Sequence, residues 1–255
     1  MVKTFKAMIF DLDGTLYLGR TPIPGAKEAL ERLRKSGKKV FFLTNAATRT
    51  RSNIAASLGL MGFLARKEEV ISGAYLLAKY ISTHYNGKKT YIVGEKGMSE
   101  EFADAKIPVA DEADIVAVGL DRQFTYDKLA KAHLNLKKGA VFLASNLDHR
   151  IPTETGDLPG AGSIVEAIAF AAERRPYVVG KPNPLAFEII KKENNLKEDE
   201  VLLVGDRLDT DLAFAKACGI KSCLVLTGNA KREDVKGALF APDMILPSVA
   251  ELNLP

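Results

Sequence analysis

The chain is 255 residues long, 47% hydrophobic and 27% charged, with a net charge of +4. That apolar share supports a sizeable core in one large or two small domains. Charges of both signs are interspersed and no apolar run approaches the ~20 residues of a membrane span, which excludes a polybasic nucleic-acid tail and a membrane partner.

Ala7–Phe10 reads as a buried strand running straight into Asp11-Leu12-Asp13-Gly14-Thr15, and Asp11 cuts it too short for a signal-peptide core. A helix follows with Ala26, Ala29, Leu30 and Leu33 on one face and Gly37 as its stop. Residues 40–43 form the next strand, ending at Thr44-Asn45, and Ile54, Ala55 and Leu58 mark another helix. In the last third, 177–179 is a short strand before Gly180-Lys181-Pro182-Asn183-Pro184, where Asn183 can cap a helix and Pro184 can occupy its first position. Residues 201–204 make a strand ending in Gly205-Asp206, then comes a helix with Leu212 and Ala215 that stops at Gly219. Residues 223–226 form a last strand closed by Thr227-Gly228. Cys218 and Cys223 make no disulfide framework and match no zinc spacing; they read as small core residues of a reduced, cytoplasmic protein.

The middle stretch has strands of its own at Thr90–Val93, Ile115–Val118 and Val141–Ala144. One helix repeats Tyr126, Leu129, Ala130, His133 and Leu134 on an apolar face; another is expected to begin at Ser163 with a capping box to Glu166. His84 reads as solvated and His133 as packed. No low-complexity linker separates the parts, so one domain is inserted into another: a core of 1–73 and 180–255, and an insertion of 74–179.

Four signals fall at the carboxyl ends of strands in the outer parts, the edge where open parallel sheets place ligands. They are Asp11-x-Asp13-Gly14-Thr15, Thr44-Asn45, Lys181 and Gly205-Asp206-x-x-x-Thr210-Asp211. Asp11 offers a carboxylate nucleophile, and Asp13 is near enough to serve as acid and base. Gly14 lets the chain turn beside a ligand. Thr44 and the N–H after it can bind phosphoryl oxygens, Lys181 supplies positive charge, and Asp206 completes a hard-oxygen site suited to Mg²⁺. Four carboxylates against one lysine would repel a phosphate, which makes the metal close to obligatory and calls for a protonated Asp13 when substrate binds. Each signal alone is commonplace, since Asp-Gly is a turn pair and a lone lysine is usually solvated; their joint order at strand ends carries the reading.

Asp11-Leu12-Asp13-Gly14-Thr15-Leu16, Thr44-Asn45, Lys181-Pro182 and Gly205-Asp206…Thr210-Asp211 resemble the ordered motifs of the haloacid dehalogenase superfamily. Leu43-Thr44-Asn45-Ala46, Pro159-Gly160-Ala161-Gly162-Ser163, Gly180-Lys181-Pro182-Asn183-Pro184 and Leu226-Thr227-Gly228 are similar to its p-nitrophenylphosphatase branch, related to NagD, which carries a large cap. The resemblance covers essentially the whole chain. It implies a three-layer α/β/α parallel-sheet core, Rossmann-like, with an inserted α/β cap domain. It further implies a Mg²⁺-dependent phosphatase of small phosphomonoesters: p-nitrophenyl phosphate, nucleotides, sugar phosphates or phosphoglycolate.

The resemblance also distributes roles. Asp11 would carry an aspartyl-phosphate, and Asp13 would protonate the leaving group and then activate water. Thr44, the Asn45 amide and Lys181 would hold the phosphoryl group. The metal would be bound by the Asp11 carboxylate, the Asp13 main-chain carbonyl and Asp206, with Asp211 supporting that site and Lys181. Residues 15–20 would form a flap. Asn146, Asp148 and Arg150, which flank Leu147 and His149, would contact substrate from the cap. Dehalogenase members lack the second aspartate, and transport ATPases have lysine where this chain has Leu12. The family's usual Thr-Asn-Asn appears as Thr44-Asn45-Ala46, which removes one side-chain donor. Two alternatives stay open, a phosphotransferase with a non-water acceptor and a non-catalytic phosphate-ligand sensor. So does the physiological substrate. The partner expectations are a small phosphomonoester, no nucleic-acid polymer, and a homodimer through the cap as in similar proteins. No P-loop and no full Gly-x-Gly-x-x-Gly fingerprint occurs. The Pro159–Ser163 loop is either a phosphate cradle by helix-terminus logic or a structural turn.

Overall fold

The computed structural model describes residues 5–153 and 156–253. The chain opens with β1 (Ala7–Phe10), a small hairpin of β2 (Tyr17–Leu18) and β3 (Thr21–Pro22), α1 (Ala26–Lys35), β4 (Lys39–Thr44), α2 (Arg51–Leu60) and β5 (Val70–Ser72). Next come α3 (Gly73–His84), β6 (Thr90–Val93), α4 (Lys96–Asp104), β7 (Ile115–Val118), α5 (Tyr126–Lys137) and β8 (Val141–Ala144). Then follow β9 (Arg150–Thr153), β10 (Gly156–Pro159), α6 (Ala161–Ala172) and β11 (Tyr177–Val178). The last third holds α7 (Leu185–Asn194), β12 (Val201–Gly205), α8 (Ala213–Cys218), β13 (Lys221–Val225) and β14 (Met244–Leu246). No helix among the described residues is long and apolar enough to cross a membrane. Two compact units result: Met1–Thr44 with Ala55–Ile71 and Lys181–Pro255, and Asn45–Ile54 with Ser72–Gly180.

The first unit is built on a six-stranded sheet in the order β14-β13-β12-β1-β4-β5. β1 pairs in parallel with β12 on one side and β4 on the other, Ile9 standing opposite Leu203 and Phe41. All four residues of β1 and all five of β12 are buried, with no alternation. Strands of that kind are covered on both faces, as in an α/β fold with a parallel sheet. α1 buries the expected stripe of Ala26, Ala29, Leu30 and Leu33. Its ends suit the helix dipole, with Glu28 in the first turn and Arg32, Arg34 and Lys35 in the last. Burying Leu30 and Leu33 contributes about 1.5–3 kcal/mol each. Asn183 Oδ1 accepts the Leu185 N–H at 2.9 Å, the cap expected of it at the start of α7. β13 is not the last strand: β14 adds a parallel edge, pairing Leu224 with Ile245. Its sequence, Met244-Ile245-Leu246, is too short to stand out as a period.

The second unit has a four-stranded parallel sheet in the order β11-β8-β7-β6 and a separate β9–β10 hairpin. Its core joins Val93, Val118, Phe142, Leu136, Val165 and Ile168. The segment Asn45–Ile54 belongs here because its polar groups find partners here. Gly73 N donates to Ala46 O (3.0 Å) and Gly97 N to Thr48 O (3.2 Å). Arg51 N donates to Glu101 Oε1 (2.7 Å), and the Arg51 guanidinium lies 3.8 Å from the Tyr75 ring centre.

Two expectations need correction. The buried side of α5 is Ala132, Asn135 and Leu136; Tyr126 and Leu134 are 81% and 57% exposed, while Leu129, Ala130 and His133 are half-buried. The inward residue that breaks the apolar pattern is Asn135, whose amide accepts from Ala113 N (2.9 Å) and donates to Asp111 O (2.8 Å) and Lys131 O (3.0 Å). A polar side chain so fully bonded is tolerated in a core. α6 starts at Ala161, two residues ahead of the expected capping box, and Glu166 pairs with Arg175 instead of a helix end. The Gly160 and Gly162 N–H groups are spent on His149 O (2.9 Å) and Asp148 O (3.0 Å). The loop is a structural turn.

Candidate active site

The site residues of the first unit gather where the strand order reverses, between the carboxyl ends of β1 and β12. Asp11 leaves β1 with its N–H donated to Val204 O at 2.9 Å, which fixes its backbone against β12. Lys181, 4% exposed, donates Nζ to Asp11 Oδ1 and to Asp211 Oδ1 (2.7 Å). Its peptide to Pro182 is cis. Asp211 comes from a π-helical turn at Leu208–Leu212 and is fully buried; its Oδ2 accepts the Arg207 N–H at 3.1 Å. Asp206, 3% exposed, accepts the Asn229 N–H on Oδ2 at 2.6 Å, while its buried Oδ1 has no hydrogen-bond partner.

Electrostatics follow from that crowding. Burial would lower the Lys181 ammonium, but the Asp11 and Asp211 carboxylates outweigh it and hold it above its ordinary value. Burial, with Asp211 and Asp206 adding to it, drives the Asp11 carboxyl well above the usual carboxylate range against the pull of Lys181. Burial, and then Asp211, pushes Asp206 up to about 6. Asp13 is exposed; partial desolvation raises it against N–H groups of Gly19 and Gly14 that lower it.

These shifts describe a site short of positive charge. Carboxylate oxygens of Asp11, Asp206 and Asp211 lie within 4.8 Å of one another. Asp211 has committed both oxygens, to Lys181 and to Arg207 N, and Asp11 has committed Oδ1. What is left, with the orphaned Asp206 Oδ1, is a hard-oxygen donor set that fits a divalent cation. A bound cation opposes the upward shifts of Asp11 and Asp206. Gly14 has φ +81°, and a side chain there would overlap the Asp206 carboxylate. Only glycine can bring the Asp13–Gly14 peptide so close.

Thr44 is half-buried at the end of β4, and residues 15–20 run into the β2–β3 hairpin. In the second unit, Asn45 is buried; its Nδ2 donates to Asp148 Oδ2 (3.3 Å) and its carbonyl accepts from Asn146 Nδ2 (2.8 Å). Asn146 is itself buried, with Oδ1 accepting the Asp148 N–H at 3.0 Å. Its amide therefore holds the loop together. Arg150 is exposed and pairs with Asp157 at 3.1 Å. The sequence reading missed Arg207 and Asn229 as partners of the buried aspartates. Both act through backbone N–H groups, which leave no side-chain signature.

A parallel sheet that sets a lysine-bound aspartate beside a buried carboxylate oxygen without a partner, at its switch point, marks an α/β protein with a ligand site at that edge. Residues 8–108 match the family model described as haloacid dehalogenase-like hydrolase, and 178–252 a second one described as HAD-hydrolase-like. The chain is 35% identical over 243 residues to an acid sugar phosphatase of Staphylococcus aureus, covering 94% of each. The 4-nitrophenylphosphatase of Thermotoga maritima superposes with TM-score 0.94 at 31% identity, covering 98% of this chain and 97% of that one. A glycerol phosphate phosphatase of Mycobacterium tuberculosis, solved in complex with magnesium, gives 0.91 at 34%, covering 97% and 76%. The chain belongs to the haloacid dehalogenase-like hydrolases. Within that family it is a phosphoric monoester hydrolase.

Proposed function

We propose that the chain hydrolyses small phosphomonoesters with Mg²⁺ through a phosphorylated Asp11. The observation that carries this reading is the contact of Asp11 with Lys181 beside an Asp206 oxygen that has no partner. An Asp11 carboxylate oxygen attacks phosphorus, the ester P–O bond breaks, and the leaving oxygen takes the proton of Asp13. The raised Asp13 carboxyl favours the acid form this step needs. Asp13 then accepts a proton from water, whose oxygen attacks phosphorus; the Asp11–phosphorus bond breaks and inorganic phosphate leaves. Lys181, the Thr44 hydroxyl and the N–H of the following Asn45 hold the phosphoryl oxygens, as charge stabilisation of an in-line displacement requires. The Asp11 carboxylate, the Asp13 main-chain carbonyl and Asp206, with Asp211 in support, would hold Mg²⁺, which would supply charge neutralisation at the transferred group.

The relatives' names favour sugar and polyol phosphates as substrates. The inserted unit keeps selection among leaving groups as its proposed role, with Asn146, Asp148 and Arg150 as its candidates. Two buried cysteines without a disulfide, Cys218 and Cys223, are consistent with a reducing, cytoplasmic setting. Phosphate release from p-nitrophenyl phosphate and a panel of sugar, polyol and nucleoside monophosphates tests the proposal. Release should require Mg²⁺, stop with EDTA, and vanish in Asp11→Asn. Equal release with EDTA, or an active Asp11→Asn, would overturn it.

A further inference from the structure

Resting on the Mg²⁺ reading above, we infer that Thr227 is a positioning residue for the metal centre, tying the Asp13–Gly14 segment to Asp206 through the loop 227–229. β13 ends at Val225, and the Leu226 N–H is held by Leu246 O at 3.0 Å. On the far side of the loop, Ala230 is buried with Leu212 and Leu224. Between these anchors each residue does one thing. The Thr227 hydroxyl donates to Gly14 O at 2.6 Å. Gly228 lies so near that a side chain there would overlap the Asp206 carboxylate and come within 2.7 Å of Gly14 Cα. The Asn229 N–H takes Asp206 Oδ2 (2.6 Å), and the Ala230 N–H takes the Asp206 carbonyl (3.1 Å).

With Oδ2 pinned by Asn229 N and crowded by Gly228, Oδ1 is the oxygen left for a cation, and it is the buried atom without a partner. Asp206 is thereby set up as a one-oxygen ligand. Gly14 has no side chain through which packing could fix it, and at φ +81° it occupies a region open to few other residues. The Gly14 N–H is held by Tyr17 O at 2.8 Å, and the Thr227 hydroxyl fixes the other end of the residue at its carbonyl, and so steadies the Asp13 carbonyl one residue away. Groups that orient metal ligands in this manner typically matter by 10–100-fold in metal affinity.

The test is titration calorimetry of MgCl₂ into the full chain, with metal-free melting temperatures measured alongside. Thr227→Val keeps the side chain's shape and removes its donor; it should weaken Mg²⁺ binding by about 10–100-fold. Thr227→Ser restores the hydroxyl and should restore affinity. Gly228→Ala, which pushes on Asp206 from the same loop, should weaken binding as well and carries the test should the valine variant not fold. A Thr227→Val chain that melts lower without metal yet binds Mg²⁺ like the natural chain would show glue for the fold alone and overturn the inference. So would a serine variant as weak as the valine one, or an unchanged affinity in Gly228→Ala. Phosphate release is assayed in parallel. Expected Mg²⁺ affinities with no release from any ester would sink the proposed phosphatase and leave this inference standing.

Discussion

Lys181 sits between two carboxylates in a space that admits almost no water, so its loss would strand both. Removing one partner of a buried ion pair costs about 3–5 kcal/mol, because the remaining charge is left uncompensated. Lys181→Met should therefore lower unfolding free energy by that amount at neutral pH, read by urea denaturation, besides abolishing turnover. A loss under ~1 kcal/mol would mean that Asp11 and Asp211 relax by other means. Asp206 predicts the opposite sign. Its carboxyl rises from an ordinary 3.8 to about 6 on folding. Well below pH 3.8 it is protonated in both states. Between those values the unfolded chain gives up the proton first, so metal-free stability falls as pH rises. Above pH 6 the penalty levels off at about 3 kcal/mol. Metal-free Asp206→Asn should consequently be more stable than the natural chain at pH 7.5 and keep only a small part of that advantage at pH 4. Thermal melts at the two pH values check it; an equal advantage at both would refute the assignment.

At the scale of elements, the loop after β4 offers the clearest lever. Glu101, 2% exposed, receives the Arg51 N–H and pairs with its guanidinium, at 3.4 Å from Nε. Glu101→Ala leaves these donors unmet and should cost about 2 kcal/mol. Hydrogen exchange should show the Arg51 amide losing protection, whereas Glu101→Gln, which keeps an acceptor, should preserve most of it. Elements with a strong period were plain from the residues: α1, β1, β4 and β12 lie where their apolar runs put them. So did the order in which Asp11, Lys181, Asp206 and Asp211 follow strand ends. α5 misled because its inward Asn135 looks like a surface residue, and only its bonds to Ala113 N, Asp111 O and Lys131 O explain its burial. α6 misled because Ser163…Glu166 has the spacing of a cap while Gly160 already begins the helix. β14 and the β9–β10 hairpin are too short for periodicity to find. Partners that act through main-chain N–H groups, such as Asn229 on Asp206, are silent in sequence at any length.

For the molecule as a whole, a cation that binds only the folded chain must raise its melting point. At a hundred times its dissociation constant the gain is about 2.7 kcal/mol. A melt in Mg²⁺ against one in EDTA should show that rise in the natural chain. It should be lost in Asp206→Ala, where the oxygen that fits the ion is gone. A rise that survives in Asp206→Ala would place the cation elsewhere.

The pairing of Ala7 with Val201 carries a consequence for synthesis. β1 is central in the sheet, yet one of its neighbours lies some 190 residues downstream. At ~5–20 residues per second a ribosome needs on the order of 10–40 s to deliver it. Through that interval Ala7–Phe10, wholly apolar and bonded on both edges when finished, has β4 but not β12 to lie against. Residues 72–180 emerge as one unbroken stretch and can close their own sheet during the wait. A nascent chain stalled before residue 201 should therefore resist protease across Ser72–Gly180 while its amino-terminal strands engage a chaperone.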